Sequence, residues 1–320
     1  MNRIGVLTSG ADAPGMNAAI RSVVRTGLFH NIEMVGIQYG FYGLMNGFMK
    51  DMDADSVGSI IQRGGTILQS SVSEEILTDE GQNQAIANLK RSEIDGLIVI
   101  GGKDVLKVVA GLAGKNFPTM AVPATIYNDI PGVEETIGFD TALNTVIDHI
   151  DRIRDTAFSH EKTSIIEVMG KDTGQLALWS GVAGGAESIL IPEKKEEIET
   201  IIEQMKSGSG RRDKRYSIIV MTEGVGNGID LSEKLKEEAG IESRVTVLGH
   251  TQRGGTPSAR DRVVASRLGC YAVELLLDQD SGSLVGLENN RLVHYEFQAL
   301  LSRTFEIDDR LYDLAKELTL

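Results

Sequence analysis

Thr125, Tyr127, Asn128 and Asp129 place a hydroxyl, a phenol, an amide and a carboxylate within the short stretch Pro123–Pro131. The stretch follows Met120 to Val122, an apolar run that reads as a buried strand. In open α/β sheets a ligand sits beyond the carboxyl ends of the strands, so polar groups there line a site; an ordinary strand-to-loop exit is the other reading. A second candidate is Ser9-Gly-Ala-Asp-Ala-Pro-Gly15, between the apolar run Ile4 to Thr8 and a helical pattern from Met16 to about Leu28. Strand, glycine-rich turn and helix start together aim free backbone N–H groups and the positive end of the helix dipole at an anion. The spacing matches neither the dinucleotide fingerprint nor Walker A. Arg21 and Arg25, four apart, share one helix face, as a phosphate clamp or a solvated face would. Arg211, Arg212, Lys214 and Arg215 form a basic cluster after a Ser/Gly turn, and they too read either as phosphate contacts or as surface. His30, His149, His160 and His294 show no metal-ligand spacing, and with Cys270 the only cysteine no zinc site is expected.

Positioning such groups needs a scaffold, and short apolar runs recur along the chain. Gly96–Gly102 precedes a helical pattern from Asp104 to Leu112; Ser164–Gly170, Ser188–Ile191, Ser217–Met221 and Val245–Gly249 follow. Such runs alternating with helical stretches indicate parallel βαβ layers and the α/β class. A charged helix is expected from Glu193 to about Met205, and Trp179 is read as core or interface. With 320 residues the chain holds two domains or one large one. A net charge of −14 argues against nucleic acid or an anionic membrane as the main partner, so an anionic ligand needs a local positive cluster. A single cysteine, no signal pattern after Met1 and no apolar run near ~20 residues point to a cytoplasmic protein.

Ile4–Gly10, Ala13–Ala19, Arg63–Thr66, Thr136–Asn144, Ile166–Gly170 and Leu248–Pro257 together resemble the bacterial ATP-dependent 6-phosphofructokinases along essentially the whole chain. The resemblance implies two Rossmann-like three-layer α/β/α domains: a nucleotide side of residues 1–138 plus about 252–304, and a sugar-phosphate side of about 139–251 plus 305–320. It also implies phosphoryl transfer from ATP, with Mg²⁺, to the 1-hydroxyl of fructose 6-phosphate.

The transfer residues depart from that pattern. Tyr127 stands where the family carries the Asp that accepts the hydroxyl proton, and a phenol with a reference pKa of about 10 is a poor base at neutral pH. Lys103 stands where an acid would hold Mg²⁺, so no metal ligand is assigned. Asp104 and Val105 replace a glycine and a serine beside the nucleotide phosphates and are expected to fill that approach. Ala11, next to Gly10 in the first phosphate loop, and Ala124 replace glycines; Val72 replaces an arginine; Lys162 and Lys171 keep the charge of arginines but lose the fork. Asp104 is similar to the acid of pyrophosphate-dependent relatives, which also carry a lysine at the place of Ala124 and keep the catalytic Asp; neither holds here.

The sugar-phosphate residues Thr125, Asp129, Met169, Glu223, Arg244, His250 and Arg253 all match, and in the family the arginines at Arg244 and Lys162 reach into a neighbouring subunit's site. Arg21, Arg25, Arg154, Gly185, Glu187, Arg211 and Lys214 match or nearly match the site for ADP or phosphoenolpyruvate, while Ala54 departs from an arginine of some members. A homotetramer, or a hetero-oligomer with an active phosphofructokinase, follows. The expectation is therefore an allosteric pseudoenzyme that binds fructose 6-phosphate, with ATP and Mg²⁺ both in question. The alternative is an active 6-phosphofructokinase in which Asp129 or Asp104 takes over the base or metal role; a sensor for unrelated partners is a third reading.

Overall fold

Runs of Val, Ile, Leu and Met with no alternating polar positions need cover on both faces, and three of them form the centre of a sheet. β1 (Arg3–Ser9), β4 (Gly96–Gly101) and β5 (Thr119–Pro123) are buried along almost their whole length. The structure is a computed structural model that describes residues 1–71, 73–197, 199, 202–203 and 216–318. The chain divides into two compact units, Met1–Thr141 with Arg253–Phe305, and Ala142–Gln252 with Glu306–Leu320.

In the first unit β2 (Glu33–Ile37), β3 (Met49–Met52), β10 (Ser283–Glu288) and β11 (Arg291–Glu296) complete a seven-stranded sheet in the order β11-β10-β5-β4-β1-β2-β3. Its inner pairs are parallel, and the edge strands β3 and β11 are antiparallel to their neighbours. Helices Met16–Phe29 and Ala259–Leu277 pack together. A core of Leu7, Ile37, Leu97, Val99, Phe117 and Phe297 lies fully or almost fully buried, each such side chain contributing about 1.5–3 kcal/mol.

In the second unit β7 (Ser188–Leu190), β8 (Ile218–Thr222), β6 (Thr163–Val168) and β9 (Ser243–Val247) form a four-stranded sheet in that order, parallel throughout. Ile165, Ile219, Met221 and Leu235 form its core. The helix Asp309–Glu317 starts at Asp308, whose carboxylate accepts the Leu311 N–H at 2.9 Å. Among the described residues no helix is long and apolar enough to cross a membrane.

Several sequence expectations are corrected. The helix expected from Asp104 begins at Leu106, because Lys103–Val105 form a tight 3₁₀ turn closed by the Val105 N–H on the Gly102 carbonyl. The strand expected at Val245–Gly249 is Ser243–Val247, and Gly249–Arg253 is a 3₁₀ turn. The charged helix expected from Glu193 starts instead as a 3₁₀ segment, Pro192–Glu197, broken at Lys194 (φ −129°, ψ 40°). Of the two readings of Trp179, core or interface, its 42% exposure overturns only the first. Val72, Arg211, Arg212, Lys214 and Arg215 lie outside the described residues.

Candidate active site

Strand register brings three loops of the first unit together. Ser9 pairs with Gly101, and Gly101 pairs with Pro123, so β1, β4 and β5 end side by side. Adjacent strands lie ~4.8 Å apart. The exits Gly10–Gly15, Gly102–Val105 and Ala124–Asp129 are therefore neighbours although they are far apart in sequence.

The exit of β5 is a clamped loop. Its two limbs are tied by a bridge between Ala124 and Ile137, with the Thr125 N–H on the Ile137 carbonyl at 3.0 Å and the Ile137 N–H on the Pro123 carbonyl at 3.0 Å. Thr136 Oγ1 donates to the Thr125 carbonyl at 2.8 Å. Asn128, in the left-handed region at φ +47°, accepts the Thr136 N–H at 2.8 Å and donates to the Glu134 carbonyl at 3.1 Å. Asn tolerates that backbone conformation better than other residues with a Cβ. The Tyr127 N–H donates to Thr125 Oγ1 at 3.2 Å, so Thr125 braces the loop from inside.

Two cations are anchored on this loop. Lys103 Nζ lies 2.6 Å from Asp129 Oδ2, with Asp129 buried at 3% exposure and Lys103 at 47%. Arg253 donates to the Tyr127 hydroxyl at 2.8 Å and to the Asp12 carbonyl at 3.1 Å, its guanidinium 5.3 Å from the Tyr127 ring centre. The structure thus brings together Thr125, Tyr127, Asp129, Lys103 and Arg253, and it ties Arg253 to a residue of its own unit.

Asp104 faces the first loop. A Cβ on Gly10, which sits at φ +81°, would press on the Asp104 carboxylate, and that backbone conformation strains any residue with a side chain. Burial of that carboxyl pushes it above the usual carboxylate range; backbone N–H groups pull against the rise, and the negative Asp129 adds to it. Val105 corrects the expectation that it fills the nucleotide approach: its side chain is buried in the core beneath Gly101. Ala11 is exposed.

Mg²⁺ calls for a set of oxygen ligands. The ammonium of Lys103 already sits on Asp129, and among the described residues no three His, Cys, Asp or Glu side chains gather to hold a metal. At this place the Lys103 ammonium competes with a divalent cation for the Asp129 carboxylate.

The second unit holds most of the other expected residues. Met169 is buried, its N–H donating to Gln252 Oε1 at 3.2 Å, and the Gly170 N–H donates to Glu223 Oε1 at 3.2 Å. Arg244, on β9, and His250, in the following turn, are exposed, as is Lys171. Lys162 is drawn to Glu242 at 2.7 Å. Arg154 donates to the Gly184 and Gly185 carbonyls at 2.5 and 2.7 Å and lies 3.8 Å from Glu187, so these three expected effector residues do meet. Arg21 and Arg25 lie on the helix Met16–Phe29 of the first unit.

Sequence reasoning missed Gln252 and Asp261. Gln252, fully buried, also donates to the Gly249 carbonyl at 2.9 Å and so ties the His250 turn to Met169. Asp261, fully buried, accepts from the Gly138 N–H at 2.7 Å, from the Thr141 N–H at 2.8 Å and from the Thr141 hydroxyl. Burial pushes its carboxyl up to about 6 against these three donors. Ser258-x-x-Asp261 carries a helix-start signature that could have flagged it; the Asp261 N–H donates to Ser258 Oγ at 3.1 Å.

The family model described as phosphofructokinase matches residues 3–276. ATP-dependent 6-phosphofructokinases of Oceanobacillus iheyensis and Bacillus subtilis are 55% and 53% identical over 320 residues, the full length of both chains in each case. Among solved structures, phosphofructokinase from Saccharomyces cerevisiae superposes with a TM-score of 0.83 at 30% identity, over 94% of this chain and 45% of that one. A pyrophosphate-dependent phosphofructokinase from Marinobacter aquaeolei, at 20% identity and a TM-score of 0.86 over 100% and 92% of the two chains, shares the fold.

Proposed function

Because the chain belongs to the phosphofructokinase family, we propose that it binds fructose 6-phosphate as an acceptor but transfers phosphoryl from ATP far more slowly than an intact member. The observation that carries this reading is the loop after β5, with Lys103 on Asp129 and Arg253 on the Tyr127 hydroxyl. Phosphoryl transfer is mostly positioning and electrostatic stabilisation, with a carboxylate to take the hydroxyl proton and a metal to bridge the phosphates. Here a phenol stands at the first place and an ammonium at the second. Losing the base alone costs ~10²–10⁴ in rate.

Acceptor binding is supported by what remains: Thr125, Met169, Glu223, Arg244, His250 and Arg253, whose arginines supply charge-assisted donors for a phosphomonoester. The meeting of Arg154, Gly185 and Glu187 supports an effector site near the β6–β8 sheet, with ADP or phosphoenolpyruvate as the ligand class. A tetramer is proposed with it, to be read by sedimentation.

A fully active ATP-dependent 6-phosphofructokinase is the second reading, and the comparisons by themselves favour it: relatives 52–55% identical over their whole length carry that name. The two readings separate on turnover of fructose 6-phosphate with ATP and Mg²⁺, using protein from a host without its own phosphofructokinase. We expect a rate at least ~100-fold below the ~1–100 s⁻¹ usual for kinases, and a gain on Lys103→Asp with Tyr127→Asp. Parent turnover within the usual range establishes the second reading and discards the first.

A further inference from the structure

His294 has no part in the site after β5, yet its ring lies between two side-chain oxygens. Nε2 is 3.2 Å from Asp280 Oδ2, and Nδ1 is 3.0 Å from the Tyr271 hydroxyl. All three residues belong to the first unit. Tyr271 is carried by the helix Ala259–Leu277, which packs against β10 and β11, and His294 stands on β11 opposite Val285. Asp280 is placed by the turn that closes the same helix. Gln279 there is left-handed at φ +62°, its N–H donates to the Leu276 carbonyl at 3.2 Å, and the Asp280 N–H donates to the Leu275 carbonyl at 2.9 Å.

Each group sets the state of the next. A carboxylate on Nε2 keeps the proton of a neutral imidazole on that nitrogen, which leaves the Nδ1 lone pair to accept the Tyr271 O–H. Burial, and then the charges of Asp280 and Glu274, hold the Tyr271 phenol above its ordinary range. The phenol therefore attacks an electrophile only when a base takes its proton, and His294 stands within reach to do so. The imidazole is 35% exposed and Tyr271 is half-buried, so a reagent reaches the pair from solvent. The acids that surround the phenol repel an anionic donor, which favours a neutral carbonyl over a phosphate as the electrophile.

We infer that Tyr271 is a nucleophilic modification site, with His294 as its base and Asp280 as a positioning residue, and that it takes the acyl group of a neutral activated ester. The phenol oxygen bonds to the carbonyl carbon, the ester's bridging oxygen leaves with the bonding pair, and the phenol proton passes to His294 Nδ1. The product is an O-acyl tyrosine, formed without oxidant or reductant.

The test treats the full chain, without sugar or nucleotide, with p-nitrophenyl acetate and reads acetylation of each tyrosine by peptide mapping. Tyr42, 48% exposed, is the internal reference. General-base assistance is worth ~10²–10⁴ in rate, and at a site open to water we expect Tyr271 to be acetylated at least ~10-fold faster than Tyr42. His294→Gln should abolish that preference, Asp280→Asn should lower it, and Asp280→Glu should retain it. If His294→Gln folds poorly, Asp280→Asn, which keeps the imidazole, carries the test. Equal rates at Tyr271 and Tyr42, or a preference unchanged in the folded variants, overturn the inference.

Discussion

Replacing Lys103 by Asp converts an attractive pair into two carboxylates at the end of β4 and the loop after β5. At 2.6 Å the existing pair is worth about 6 kcal/mol of Coulomb energy for an effective dielectric of 20. Much of that offsets the desolvation of Asp129, which is 3% exposed. Removing one partner of a fully buried pair costs ~3–5 kcal/mol; because Lys103 is 47% exposed and screened by water, we expect ~2–3 kcal/mol for Lys103→Asp in EDTA. For a domain of this size each kcal/mol shifts Tm by ~2–4 °C, so the first unit should melt ~5–10 °C lower. Mg²⁺ should then separate the two proteins. The variant offers two carboxylates to the cation and should regain ~2–3 kcal/mol once Mg²⁺ exceeds its dissociation constant about a hundredfold. The parent, with an ammonium already on Asp129, should not respond. Scanning calorimetry of both proteins in EDTA and in Mg²⁺ reads this directly. An unchanged Tm for the variant in EDTA would refute the claim that the ion pair holds the loop, and equal Mg²⁺ stabilisation of the parent would refute the competition of Lys103 with the metal.

Asp261 has a folded-state pKa raised by burial from 3.8 to about 6, so its contribution to stability is complete below the unfolded value and is lost as pH rises through the folded one. The difference corresponds to ~3 kcal/mol; between pH 4 and 7 the unfolding free energy of the parent should fall by about that much relative to Asp261→Asn, and parallel pH profiles would contradict it. Asn128→Ala removes an acceptor from the buried Thr136 N–H and leaves Ala at φ +47°, for an expected loss of ~2–3 kcal/mol in denaturant titrations. Asn128→Gly, free of the backbone strain, should recover ~1 kcal/mol of that; equal losses would remove the conformational part of the argument.

The α/β class, the buried strands β1, β4 and β5 and the family were legible from residues alone. Apolar runs without alternation can be satisfied only by burial on both faces, and the quoted motifs are long and ordered. Element ends were less legible: the 3₁₀ turn at Lys103–Val105 and the kink at Lys194 depend on local hydrogen bonds that periodicity does not encode.

The residue types at the candidate site were equally plain in the chain, since a phenol at 127 and an ammonium at 103 are matters of composition. Their partners were not. Lys103 meets Asp129, and Asp104 meets Gly10, because the registers of β4 with β5 and of β1 with β4 end those strands side by side. Arg253 reaches Tyr127 from 126 positions away because the chain returns to the first unit after Gln252. Sequence order alone carries no such distances. Only the packed sheet turns a list of substituted side chains into a pair of cations held on one rigid loop.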